Sequence, residues 1–114
     1  MILSIRQENP DASTSIIHMD GRLLLGPSCV ELEEMVQNFL VSGSRRLIFD
    51  VSGVTHMDST GMGRFIDAHQ KLIAAGKTMR IAGATGGVRE MFRVTKLDTV
   101  FDLYPTLEAS LAMI

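Results

Sequence analysis

Two stretches at the start of the chain alternate apolar with polar positions. Ile2-Leu3-Ser4-Ile5-Arg6 reads as a strand closed by the turn-rich Glu8-Asn9-Pro10-Asp11, and Thr14 to Met19 as a second strand paired with it in a hairpin. Asp20-Gly21 marks a bend before Leu23-Leu24-Leu25, and Gly26-Pro27 ends extended structure. The period then changes. Cys29, Leu32, Met35, Val36, Phe39 and Leu40 recur at helical spacing, with Ser28 and Glu31 placed as a capping box and Ser42-Gly43 as the stop. Leu47-Ile48-Phe49-Asp50-Val51 is a short, nearly continuous apolar run, the signature of a strand covered on both faces. Met62, Phe65, Ile66, Leu72 and Ile73 form the next helical stripe, opposed by Arg64, Asp67, Gln70 and Lys71, and Gly76 stops it. Thr78 to Ala82 predicts another strand. Thr85 caps a short helix carrying Val88, Met91 and Phe92 inward, and Thr99 to Leu103 predicts the last strand. Thr106 caps a C-terminal helix with Leu107, Leu111 and Ile114 on one face. Strands alternating with helices argue for an α/β chain built on βαβ crossovers, and the opening hairpin makes its sheet mixed.

The stretch joining the apolar strand to the central helix is unusual. Asp58-Ser59-Thr60-Gly61-Met62-Gly63 is polar and glycine-rich, and either Asp58 or Ser59 is placed to cap the helix by accepting an orphaned backbone N–H. Capping does not explain the glycines, because two of them in a first turn give up nearly ~2 kcal/mol of helix stability relative to alanine. Close packing of helix against strand accounts for them. So does a bare turn that leaves the Ser59 hydroxyl open and offers a flat surface to another protein, and the two reasons are compatible. Met57 and Met62 flank Ser59 as adaptable contact residues; the remaining methionines read as core filler.

At 114 residues the chain is long enough for one domain, 1–114, around a single core. A formal net charge of −2 without any Lys/Arg run excludes the basic footprint of a nucleic-acid binder. No apolar run approaches the ~20 residues of a membrane-spanning helix, and no signal-peptide core is present. A lone cysteine, Cys29, excludes an intrachain disulfide and fits a reducing compartment, so a soluble, cytoplasmic protein is expected.

Enzyme-like signals fail on inspection. Asp50 closes an apolar strand as a phosphatase nucleophile would, but Ser52 stands where that chemistry needs a second carboxylate; Asp50 reads instead as an acceptor of N–H bonds in a following turn. Ser59 sits on a strand-to-helix turn like a nucleophile elbow, yet Met57 replaces the elbow's first glycine. His69 is the only histidine downstream, half-buried and hydrogen-bonded on the central helix by its spacing, with no Asp–His pairing in view. His18, His56 and His69 lack metal spacing, so no metal and no cofactor is expected. Gly83-Ala84-Thr85-Gly86-Gly87 lacks both the dinucleotide spacing and a P-loop lysine; it reads as a tight turn into a helix, with a weak anion site as the alternative. Asp67 and Lys71 make an i,i+4 pair on a solvated face.

Asp58-Ser59-Thr60-Gly61-Met62-Gly63, following Asp50-Val51-Ser52-Gly53-Val54-Thr55, resembles the signature of STAS domains, in particular the bacterial anti-sigma factor antagonists. Gly21-Arg22-Leu23, the helix after Pro27, Gly76, Val88 to Phe92 and Thr95 to Phe101 fall at that family's spacing. The resemblance implies a single STAS-like domain, a mixed sheet of about five strands packed with about four helices. It further implies that Ser59 is phosphorylated by an anti-sigma factor serine/threonine kinase that the unmodified protein binds, releasing a sigma factor, and that a phosphatase resets it. Asp58, Ser59, Thr60, Gly61, Met62 and Gly63 would then form the partner-binding surface, with no catalytic residue. One departure is that Gly21 is followed by Arg22 and three leucines where the best-known members carry acidic residues, which points to a different partner. The alternatives are a constitutive STAS subunit of a larger sensory or transport assembly, in which Ser59 is only a cap, and a small hydrolase using Ser59. The sequence carries no signal for or against self-association.

Overall fold

The computed structural model describes residues 3–112, so Ile2 of the expected first strand and Ile114 of the expected last helix lie outside the described residues. In chain order the elements are β1 (Leu3–Asp11), β2 (Thr14–Leu23), α1 (Pro27–Val41), β3 (Arg46–Met57), α2 (Ser59–Ala74), β4 (Thr78–Ala82), α3 (Gly86–Val94), a 3₁₀ turn (Leu97–Thr99), β5 (Asp102–Tyr104) and α4 (Leu107–Ala112). The strands form one sheet in sequence order, antiparallel between β1 and β2 and parallel from β2 to β5. The α/β class, the mixed sheet of five strands and the four helices agree with the expected fold.

The strand period of two divides the core between the faces. Ile17, Met19, Leu47, Phe49, Val51, Met79 and Ile81 face α1, α2 and α3, which supply Leu32, Val36, Phe39, Met62, Phe65, Leu72, Val88 and Phe92. Ile16, Ile48 and Ala82 point the other way and are met by Leu107 and Leu111 of α4. Because each parallel strand joins its neighbour in order, crossovers of a single hand place α1, α2 and α3 on the same face. Four of the chain's five phenylalanines stitch that face together. Phe49 meets Phe65 edge-on at 5.1 Å between centroids, Phe65 lies 5.9 Å from Phe92, and Phe92 lies 6.1 Å from Phe101. Such pairs contribute about 0.5–1.5 kcal/mol each beyond the area they bury.

Several local expectations are corrected. The turn expected at Glu8–Asp11 lies inside β1, which runs through Pro10 with a register shift between Glu8 and Asp11. Proline is tolerated because β1 is the sheet's edge. The chain reverses at Ala12-Ser13, where the Ser13 N–H donates to Asp11 Oδ1 at 2.7 Å. Helix α1 has no capping box: Pro27 occupies its first turn, Gly26 at φ 146° is its N-cap, and Ser28 is buried inside it. Its C-terminus ends on an extended Ser42, and Gly43 supplies no left-handed stop. Lys77 closes that end instead, its ammonium donating at 3.0 Å to both Phe39 O and Ser42 O and lying 4.6 Å from the Phe39 ring centroid. Gly76 does stop α2 as expected. It takes φ 72°, its N–H donates to Ile73 O, and the Lys77 N–H reaches back to Leu72 O. The last strand is shorter than expected, because Thr99 closes a 3₁₀ turn entered through Lys96 at φ 61°. On α2, Ile66 and Ile73 are exposed; the buried stripe is Gly61, Met62, Phe65, Ala68 and Leu72.

Lys77 therefore locks α1 to β4 through two charge-assisted bonds. Lys77→Met keeps the aliphatic stem and removes both, and should cost about 1.5–3 kcal/mol in urea unfolding with the fold retained. A change below a few tenths would show that water replaces the ammonium at no loss.

Candidate functional site

Strands β2 and β3 end together, with Leu23 paired to Met57. The Asp58 N–H extends that edge by donating to Leu23 O at 3.3 Å. Its side chain then serves two segments at once: Oδ1 accepts the Gly61 N–H at 2.8 Å and Oδ2 accepts the Leu25 N–H at 2.9 Å. Asp58 is thus the N-cap of α2, and it also fixes the loop leading into α1. The Gly61 and Leu25 N–H groups, foremost among its contacts, hold the Asp58 carboxyl below the usual carboxylate range.

Ser59, the first residue of α2, is exposed, and its hydroxyl makes no hydrogen bond to another described residue. Thr60 and Gly63 are half-buried, whereas Gly61 and Met62 are buried. The two glycines differ in kind. A Cβ on Gly61 would stand 2.5 Å from Leu23 O and 2.8 Å from Leu23 Cγ, inside any permissible contact, so this glycine lets α2 lie on the end of β2. A Cβ on Gly63 would meet nothing within 4 Å. Met57 and Met62, expected as contact residues, pack into the core instead. The surface at the turn thus comes from Ser59, Thr60 and Gly63, joined by Leu25, which is 76% exposed. Leu25 was not singled out in the sequence. Strand alternation would have put Leu25 on the side of buried Leu23; β2 ends at Leu23 instead, Asp58 holds the Leu25 N–H, and the side chain is left in solvent.

The other candidates lie apart from Ser59. Asp50 is not in a turn, because β3 continues to Met57 where Gly53 to Met57 pair with the end of β2. It does accept both the Ser52 N–H (3.1 Å) and the Ser52 hydroxyl (2.7 Å). Burial pushes the Asp50 carboxyl up, but these two bonds, with His18 beside it, outweigh burial and hold it below the usual range. The Ser52–Asp50–His18 chain is no nucleophile relay, since the serine donates to the carboxylate and not to the imidazole. His56 contacts Thr55 Oγ1 and half-buried His69 packs on the Phe101 ring, 5.2 Å between centroids, so no histidine contacts Ser59 as a base. Asp67 pairs with Arg64 at 3.0 Å rather than with Lys71, and the same guanidinium reaches Glu33 of α1 at 2.9 Å. Gly83 takes φ 83°, with Ser52 crowding the space a side chain would need, and Thr85 caps α3 without a side-chain bond, which is the geometry of a tight turn. Burial raises the Cys29 thiol above its ordinary range, and the side chain is buried.

An exposed serine at a helix start that an aspartate caps, with open space at nearby Gly63, can accept a modification or a partner. Residues 5–110 match the family model described as STAS domain. The chain belongs to the STAS domain family. It is 31% identical over 67 residues to the anti-sigma-B factor antagonist of Staphylococcus aureus, an alignment covering 59% of this chain and 62% of that protein, so the match spans less than two thirds of the relative's length. The fold matches an anti-sigma factor antagonist from Mycobacterium paratuberculosis with a TM-score of 0.85 at 22% identity, covering 98% of this chain and 93% of that one. It also matches the Bacillus cell fate determinant SpoIIAA in its phosphorylated form, at a TM-score of 0.78 and 17% identity over 96% and 98% of the two chains. Within this STAS domain no helix among the described residues is long and apolar enough to cross a membrane.

Two outcomes follow from the turn. Gly61→Ala should destabilise the domain by about 1–3 kcal/mol through overpacking against Leu23, while Gly63→Ala should be neutral or stabilising by up to ~1 kcal/mol. Thermal unfolding of the pair checks this, and equal effects would contradict the close approach at Gly61. Asp58 contributes stability fully above the pKa of an unfolded aspartate, and loses it as pH falls through its depressed folded value. Asp58→Asn, which can still cap but cannot titrate, should flatten this acid limb in urea melts taken across pH.

Proposed function

We propose that this STAS domain is an anti-sigma factor antagonist whose binding is switched by phosphorylation of Ser59. The single observation that carries the reading is Ser59 itself: an exposed hydroxyl without a described hydrogen-bond partner, at the first position of a helix fixed from beneath by Asp58. The named role of the Staphylococcus aureus relative and the existence of a phosphorylated protein of this fold support it. In the unmodified state Ser59, Thr60, Gly63 and Leu25 form the contacted face, with Asp58, Gly61 and Met62 holding it in shape. The partner is an anti-sigma factor serine/threonine kinase, in the cytoplasm where it can use ATP. Binding occupies the kinase and frees a sigma factor. Transfer of phosphate to Ser59 ends the complex, and a phosphatase restores the hydroxyl. The domain is then a substrate and a binding module, not an enzyme.

The charge at this position is sufficient for the switch. A phosphate brings about −1.5 to −2 charge, which the N–H groups and dipole of α2 accommodate in the free domain, against repulsion from Asp58. Against a surface shaped for a hydroxyl, the same group is a buried charge without a partner, costing about 2–5 kcal/mol. A hundredfold loss of affinity requires only ~2.7 kcal/mol.

Phosphopeptide mapping of the protein from its native cell should place phosphate on Ser59. Ser59→Ala should bind the kinase and resist ATP-driven release, and Ser59→Asp should lose part of the affinity. Amide spectra of the phosphorylated domain should differ only around the turn and α2, with the melting temperature nearly unchanged. Phosphate incorporated into Ser59→Ala would place the acceptor elsewhere, and a partner bound without any phosphorylation would favour the constitutive module. Loss of chromogenic ester turnover in Ser59→Ala would favour the hydrolase.

A further inference from the structure

On the face of the sheet away from α1, α2 and α3, His18 of β2 stands between two carboxylates from the two strands that flank it. Its Nδ1 lies 2.7 Å from Asp50 Oδ2 of β3, and its Nε2 lies 2.8 Å from Glu8 Oε1 of β1. The imidazole is 12% exposed and the Asp50 side chain 14%, while Glu8 is 48% exposed. Asp50 is fixed independently by both Ser52 bonds; Glu8 has no bond from its side chain to a described residue other than His18. Arg6 faces His18 directly across the β1–β2 pair, Asp20 follows on β2 and is exposed, and Glu108 of α4 shares the cleft beside Asp50 and Ser52.

A carboxylate only accepts, and a neutral imidazole has one N–H. Both contacts are hydrogen bonds only when both ring nitrogens carry hydrogen. When the ring gives up a proton, one nitrogen lone pair must face a carboxylate. The bond that survives is the one to Asp50, which is the more buried partner and is already immobilised. The bond surrendered is the one to Glu8. We propose that His18 is a proton-dependent clamp on the edge strand, tying β1 to the sheet through Glu8 while the ring is doubly protonated and releasing that part of β1 when it is not. The location suits the role, since Glu8 borders the register shift before Asp11, where the β1–β2 ladder is already interrupted. Release would uncover the β2 edge beside Ile16 and Ile17, an edge open to pairing with another strand.

The test is on the intact domain alone. Ring ¹⁵N shifts follow His18 through its titration, and amide exchange protection factors, corrected for intrinsic rates at each pH, follow β1 and β4. Protection from Arg6 to Glu8 should fall about tenfold across the His18 titration, the ratio that ~1.4 kcal/mol produces, with β4 unmoved. In Glu8→Gln the side-chain amide can accept from one ring form and donate to the other, so the step should vanish while protection persists. Constant β1 protection in the parent, a His18 ring that never carries both protons, or an undiminished step in Glu8→Gln would each overturn the clamp.

Discussion

The Asp58 carboxylate is the constraint on which the rest of this surface depends. Its two oxygens hold two N–H groups that belong to different segments, Leu25 before α1 and Gly61 in α2. Its own N–H is bound to Leu23 O, the atom that also forbids a side chain at Gly61. The end of β2, the end of β3, the loop into α1 and the first turn of α2 are therefore one unit. A cap on an isolated helix satisfies an orphan donor and little more. Here the cap also sets the distance between the exposed Leu25 and the exposed Ser59, and it does so with a group that stays ionised well into the acid range.

That rigidity bears on the proposed phosphorylation of Ser59. A helix start that was free to fray would answer an added charge by rearranging, and the signal would be spread through the domain. A helix start fixed on both sides would answer by presenting the charge. The residues that fix it, Gly61 and Met62, are buried, and those that display it are not, so the same six-residue stretch separates cleanly into support and face. Its glycines follow the same division: Gly61 is required by the neighbouring strand, and Gly63 keeps the outer surface bare.

Much of this was legible in the sequence, for identifiable reasons. The helices α1 and α2 were placed closely because burial on one side leaves a repeat, and β4 because the Gly76 stop and the following glycine-rich turn bracket a short apolar run. The cap was narrowed to Asp58 or Ser59 because both side chains can accept the orphaned N–H, and the structure assigns it to Asp58. What could not be read is what depends on contacts far apart in the chain. Lys77 closing α1 is one case, since nothing local links it to Phe39 and Ser42. The length of β3 is another: Asp50 and Ser52 make the local bonds of a turn, yet β2 supplies a pairing partner beyond them and the strand continues. Pro10 misled in the opposite direction, because a residue that breaks an inner strand is harmless at an edge. Ile66 and Ile73 fit a helical stripe by spacing, and only the position of the sheet shows that they fall outside it.

The topology keeps the Ser59 turn and the histidine cluster apart. Three helices on one face leave the opposite face to a single short helix, which covers Ile16, Ile48 and Ala82 and little else. The uncovered remainder must be polar, and Glu8, His18, Asp50 and Ser52 meet that requirement with a continuous hydrogen-bonded chain across three strands. Ser59 stands where β3 runs into the helical layer, so its surroundings belong to α1, α2 and the end of β2. Charge added there would meet the backbone dipoles of a helix start. His18 and its carboxylate partners lie between strands on the other face. A mixed sheet with its parallel crossovers all on one side thus separates two polar regions, one at the helical layer and one between strands on the opposite face.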